Sequence, residues 1–171
     1  MPIYDANRLA AVFLDTSPLS LVTQRRGKSV EADECQTWAS ALTQNTIAIV
    51  VPEVADYELR RELIRLRKTT AIARLDAFPA LIGEYLPLDT DTVREAARLW
   101  ANVRQQGIPT ASDDALDGDA LIAAQVFVWC AMTGTPLSFV AVATSNPAHL
   151  IRFADAGGTT LQAARWQDIT L

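Results

Sequence analysis

Two runs in this chain, IAIVV (Ile47 to Val51) and LSFVAVAT (Leu137 to Thr144), are apolar almost without interruption instead of at alternate positions. A strand solvated on one face alternates between apolar and polar residues. A continuous run of β-branched and small apolar residues marks a strand covered on both faces, which is the habit of parallel sheets. AVFL (Ala11 to Leu14) has the same character, and YLPL (Tyr85 to Leu88) and TTLQA near the C-terminus are shorter candidates. Helical patterns separate these runs. The expectation is therefore an α/β three-layer sandwich: a mostly parallel central sheet of four or five strands, flanked by helices, with right-handed crossovers. In such sheets ligands bind beyond the carboxyl ends of the strands, near the point where strand order reverses.

The helical segments carry recognisable ends. A short helix is expected near Pro18 to Gln24, and a longer one over Glu31 to Gln44. Pro52 suits the first turn of a helix running through EVADYELRRELIRLRK, and a further helix covers Thr70 to Phe78. DTDTVREAARLWANVRQQG begins with capping residues and ends at Gly107, and ALIAAQVFVWCAMTG is apolar on most faces and stops at Gly134. The intervening IPTASDDALDGD reads as a loop, with Asp117 as N-cap of the apolar helix. No repeat, low-complexity tract or linker divides the 171 residues, so a single domain over 1–171 is expected.

Composition removes several function classes. One histidine, His149, and two cysteines outside any CxxC pair, Cys35 and Cys130, are too few for a structural zinc site, and the thiols read as buried and reduced. A net charge of −5, from 15 basic and 20 acidic residues, argues against coating nucleic acid with a basic surface, but leaves room for a nuclease with clustered carboxylates and a local basic patch. No apolar run reads as bilayer-spanning, and MPIYDANRLA lacks the pattern of a secretion signal. A soluble, cytoplasmic protein with no membrane partner is expected.

Three acidic places carry potential chemistry. Asp15 follows the first apolar strand and precedes Thr16 and Ser17, where capping the next helix is an ordinary role. Glu58 lies in VADYELRREL, where pairs such as Glu58 with Arg61 or Glu62 with Arg65 are ordinary helix-surface support. SDDALDGDALIAAQ places Asp113, Asp114, Asp117 and Asp119 within seven residues, more than one helix start needs. Each is bland alone. Together they are oxygen donors without His or Cys, a set that suits Mg²⁺ or Mn²⁺ and, with it, phosphodiester hydrolysis.

The stretch from Glu58 to Arg74 is the one strongly basic segment, with Arg60, Arg61, Arg65, Arg67, Lys68 and Arg74 against Glu58 and Glu62. A solvated face is the ordinary explanation of such a run. The surplus of positive charge also suits an RNA backbone, with Arg60, Arg61 and Arg65 as candidate contacts. The tryptophans Trp38, Trp100, Trp129 and Trp166 read as packing residues, and His149 as a capping or packing residue with a phosphate contact as the alternative.

Four segments, in order and over nearly the whole chain, resemble the PIN domain and, within it, the VapC-type toxin branch. AVFLDTS is similar to the family's opening strand and first acid, which assigns Asp15; VVPEVADYELRREL to its second-acid helix, which assigns Glu58; LDGDALIAAQ to its third-acid motif, which assigns Asp119; and VAVATSNPAHLIRF to its late strand and Thr-x-Asn/Asp turn. The resemblance implies a PIN-like fold, Mg²⁺ or Mn²⁺, RNA cleavage, a small antitoxin that covers the site, and a homodimer. The family's fourth acidic position is Asn146 here, and Asp117 is an extra acid that would supply the missing carboxylate.

The leading expectation is thus a metal-dependent endoribonuclease, the toxin of a toxin–antitoxin pair. Asp15, Glu58 and Asp119 would be catalytic and metal-binding, Asp117 would assist the metal, and Thr16, Thr144 and Asn146 would contact water or phosphate. The alternative is a PIN-like module that binds RNA or protein and cleaves poorly. A phosphatase of the HAD type would need an aspartate where Ser17 stands.

Overall fold

The structure, a computed structural model, describes residues 4–107 and 113–171. Its centre is a five-stranded, all-parallel sheet. Strand β2 (Ala11–Leu14) lies in the middle, β3 (Ala48–Pro52) and β4 (Glu84–Leu86) follow on one side, and β5 (Val140–Ala143) and β6 (Ala163–Ala164) on the other. Strand order reverses between β2 and β5. A separate parallel pair, β1 (Tyr4–Asp5) with β7 (Ile169–Thr170), joins the two ends of the described chain.

Alternation across the pleat builds the two cores. Phe13, Val50, Val140 and Val142 face one layer, where α5 (Thr90–Gln105) and α6 (Asp113–Thr133) pack. Val12, Leu14, Ile49, Val51, Ala141 and Ala143 face the other layer, with α1 (Thr16–Val22), α2 (Val30–Gln44), α3 (Glu53–Arg65) and α4 (Thr69–Ile82). The short α7 (Pro147–Leu150) follows β5. The three-layer parallel architecture is as expected, with five strands. The expected strand over Leu137–Thr144 is a 3₁₀ turn at Leu137–Phe139 and then β5.

Three expectations are corrected. The helix expected through Lys68 is shorter: α3 ends at Arg65, Arg67 takes a left-handed φ of 55°, and α4 starts at Thr69. The amides of Arg67 and Lys68 bond back to Ile64 and Leu63, the pairing of a Schellman turn, so the carbonyls at the end of α3 are satisfied and the chain reverses. Second, α6 already includes Asp113 to Asp119, so Asp117 lies inside the helix and is not its N-cap; the first part of the expected loop, 108–112, lies outside the described residues. Third, one helix does have the length and hydropathy to cross a membrane, over Leu116–Thr133. Its apolarity is used internally: Ile122, Ala123, Ala124 and Val126 are fully or almost fully buried against α5, α3 and the sheet. Buried Gln125 donates to the Leu86 carbonyl at 2.7 Å and accepts from the Val54 amide at 3.4 Å, fixing α6 to the starts of α3 and the end of β4.

The tryptophans pack as expected. Trp129 meets Phe13 edge to face at 5.5 Å, and Trp38 packs on Trp166 and donates to the Ile169 carbonyl at 2.8 Å. The cysteines are free, and burial pushes the Cys35 thiol up to about 12 and that of Cys130 to about 11, so both stay protonated and poorly nucleophilic near neutrality.

Candidate functional site

The carboxyl ends of β2 and β5 open onto a cleft of about 760 Å³ at the point where strand order reverses. Asp15, Thr16 and Ser17 enter it from the end of β2, Ser145, Asn146 and His149 from the end of β5 and α7, Glu58, Arg61 and Glu62 from α3, and Asp119 from α6. Asp15, Glu58 and Asp119, which are separated by 43 and 61 positions in the sequence, therefore share one cavity.

Each of these carboxylates is held by a nearby donor. Asp15 caps α1, accepting the Thr16 amide at 2.7 Å, and its other oxygen accepts the Thr144 hydroxyl at 2.6 Å. Thr144 is 3% exposed, and its oxygen in turn accepts the Asn146 amide at 3.1 Å. Its hydroxyl is thus engaged by Asp15, where a contact with water or phosphate was expected. The Thr16 hydroxyl donates to Glu58 at 2.6 Å. Nδ1 of His149 lies 3.3 Å from the Asp119 carboxylate. Burial pushes the Asp119 carboxyl up to about 6; the adjacent His149 opposes this, and the negative charges of Asp15 and Glu58 add to it.

Gly118 on α6 leaves room for the Glu58 carboxylate of α3. A Cβ at this position would stand 2.5 Å from Oε1 of Glu58. A glycine inside a helix is normally unfavourable, and here it makes room for a carboxylate.

The remaining candidates divide. Arg61 lines the cleft, with its guanidinium 5.4 Å from the ring centroid of Tyr57. Arg60 is turned away, binding Asp56 through two hydrogen bonds at 2.6 and 3.0 Å and Asp76 at 2.7 Å; those acids hold its pKa above the ordinary arginine value. Arg65 pairs with Glu62 at 2.8 Å, and Arg74 donates to the Thr23 carbonyl. Asp117 is exposed and does not line the cleft, because it lies two residues before Asp119 on α6 and therefore on another side of the helix. Asn146 does line it, with Nδ2 3.1 Å from Nε2 of His149. The reading of the sequence missed the Asp119–His149 contact and Glu31, which reaches the cleft from α2. A clue to the first is the three-residue spacing from Asn146 to His149, which places both at the start of α7; nothing in the sequence signals the second.

The donor set suits a hard divalent cation, since it consists of carboxylates with hydroxyl and amide oxygens nearby. The mutual repulsion at Asp119 is also what a cation would relieve. As they stand, the carboxylates are turned onto Thr16, Thr144 and His149, and among the described residues no three acidic, histidine or cysteine groups are arranged to hold an ion directly. Each carboxylate keeps lone pairs that these bonds do not use, and ligation would draw on those.

No family model matches the sequence, and no curated protein is significantly similar to it. Solved structures are similar. A chain in the crystal structure of VapBC2 from Rickettsia felis bound to a DNA fragment from their promoter is 15% identical, with a TM-score of 0.64, over 90% of this chain and 98% of that one. A chain in the crystal structure of DNA-bound VapBC from Salmonella typhimurium is 16% identical, with a TM-score of 0.62, over 92% and 99%. The toxin of such complexes, VapC, is a PIN-domain protein. At these identities the likeness is one of architecture, and the chain has the PIN-like fold found in VapBC assemblies.

Proposed function

We propose that the chain is a metal-dependent endoribonuclease of the PIN/VapC type, acting as the toxin of a toxin–antitoxin pair. The observation that carries this reading is the meeting of Asp15, Glu58 and Asp119 in one cleft at the strand-order switch point. These three would hold Mg²⁺ or Mn²⁺. When bound, the cation supplies charge neutralisation at the scissile phosphate and polarisation of water. The protein supplies orientation: Thr144 fixes one oxygen of Asp15, Thr16 fixes one oxygen of Glu58, and His149 stands beside Asp119. Arg61 is the cation within the cleft that would meet the RNA backbone. The similarity to VapBC structures supports a small antitoxin as partner.

The test is incubation of the purified protein with RNA and Mg²⁺ or Mn²⁺. Cleavage that needs the metal and disappears in Asp15→Asn is the expected result. Absence of cleavage by the wild type under both metals overturns the enzymatic reading. A second reading, an RNA- or protein-binding module that cleaves poorly, draws on Asn146, whose amide nitrogen faces His149 where the resembled family has an acid. Tight RNA binding without cleavage would favour it.

A further inference from the structure

The basic stretch that was expected to hold RNA contributes only part of its charge to the site. Arg60, Arg65 and Arg74 are engaged by the protein itself. Arg61 is different: it lines the cleft and, among the described residues, pairs with no carboxylate. Its guanidinium lies instead over Tyr57, one helical turn earlier on α3. Tyr57 is 59% exposed and immediately precedes Glu58. An aromatic ring left that open contributes little to the core; Tyr57 does not itself line the cleft, but Glu58 next to it and Arg61 over it do.

We propose that Tyr57 and Arg61 form a stacking platform for one unpaired base of single-stranded RNA, next to the phosphate that enters the cleft. The proposal rests on the ribonuclease reading and specifies its substrate class. An exposed ring with a planar guanidinium over it offers a base a π surface, and the same cation neutralises phosphate charge. A base within a duplex is already stacked and its faces are covered, so the platform selects single strands over double strands. Glu58 follows Tyr57 in the chain and Arg61 reaches into the cleft, so the stacked base and the carboxylates are tied to one helix.

The test measures binding by fluorescence anisotropy with a labelled single-stranded RNA oligonucleotide in Mg²⁺ buffer, using the full chain carrying Asp15→Asn so that cleavage does not interfere. Adding Tyr57→Ala should weaken binding about tenfold, and Tyr57→Phe should restore it, because the ring and not the hydroxyl carries the contact. Arg61→Lys, which keeps the charge and loses the plane, should fall between them. The corresponding RNA duplex should bind equally well with and without Tyr57→Ala. Unchanged single-strand binding in Tyr57→Ala overturns the platform, and equal losses for single strand and duplex overturn the stacking account. Cleavage by the wild type separates the two levels of the argument. If the wild type cleaves RNA while Tyr57→Ala binds normally, only the platform fails; if the wild type neither binds nor cleaves RNA, both readings fail.

Discussion

Gly118 and Glu58 are joined by an absence of side chain: the space a Cβ at Gly118 would fill is taken by Oε1 of Glu58, 2.5 Å away, while Oε2 of Glu58 accepts the Thr16 hydroxyl. The placement of a cleft carboxylate of α3 thus depends on a residue of α6. Its conformation does not require glycine, since Gly118 lies within a regular helix.

Gly118→Ala should therefore separate stability from activity. Helix propensity alone favours alanine by about 1 kcal/mol. The added methyl would take the space of Oε1, so the Glu58 carboxylate has to shift from the position it shares with Thr16. The expected outcome is a melting temperature equal to or above that of the wild type, with metal-dependent RNA cleavage reduced at least tenfold. Full activity in Gly118→Ala would show that the position of Glu58 is unimportant.

Thr144 offers a complementary test. It is buried, and its hydroxyl donates to Asp15 at 2.6 Å. Thr144→Val keeps the shape and leaves a carboxylate oxygen without its donor, at a cost of about 1–3 kcal/mol. Groups that orient metal-binding carboxylates typically change metal affinity by about 10–100-fold when removed. Thr144→Ser should retain the bond and most of the function. The stabilisation of each variant by added Mg²⁺ or Mn²⁺, followed by thermal shift, is the measurement; identical metal responses for Thr144→Val and wild type would rule the orienting role out.

Asp119 predicts a pH dependence of stability. Its carboxyl is raised from 3.8 to about 6, chiefly by burial and also by Asp15 and Glu58, so the folded state holds this proton more tightly than the unfolded state does. Below about pH 4 the group is neutral in both states and costs nothing. Between about pH 4 and 6 the unfolded chain ionises while the fold keeps its proton, so a penalty on the order of 2–3 kcal/mol builds up and is complete above about pH 6. Asp119→Asn should accordingly melt several degrees above the wild type at pH 7.5 without metal, and level with it near pH 4. Added Mg²⁺ should narrow the gap at pH 7.5 by stabilising the wild type. Equal melting at both pH values would mean that Asp119 carries no such strain.

How much of this was legible before folding differs from residue to residue. The strands were readable because Val12, Ile49, Val51 and Val142 are buried on a sheet covered from both sides, which leaves an uninterrupted apolar run. Asp15 was readable because such a run must end where the chain meets water. The exact end of α3 was not: no glycine or proline separates Glu53 from Thr69, and the reversal rests on Arg67 in a left-handed conformation. Asp117 was misread for a related reason. Asp and Gly density resembles a loop, yet α6 continues through it because Leu116 and Ala120 are buried on either side. The β1–β7 pair is two residues per strand, too short for any periodicity to show. His149 beside Asp119 is a tertiary contact across 30 positions, which local pattern does not encode.

Thr46 and Arg67 yield a prediction about stability alone. Both hold left-handed φ values, 61° and 55°, and both close the end of a helix by the same pair of bonds: Thr46 and Ile47 bond back to Thr43 and Leu42 at the end of α2, as Arg67 and Lys68 do at the end of α3. Glycine is the usual occupant of this position, because an L side chain there costs about 1–2 kcal/mol. Thr46 is β-branched, so its strain is the greater. Replacement by glycine also loosens the unfolded chain, which offsets part of the gain. Thr46→Gly should still be stabilised by about 0.5–1 kcal/mol, or about 1–4 °C in melting temperature, and Arg67→Gly by less. Thr46 precedes β3 at the edge opposite the cleft, so its variant should cleave RNA like the wild type. A fall in melting temperature for Thr46→Gly would show that the threonine contributes a contact worth more than the strain it bears.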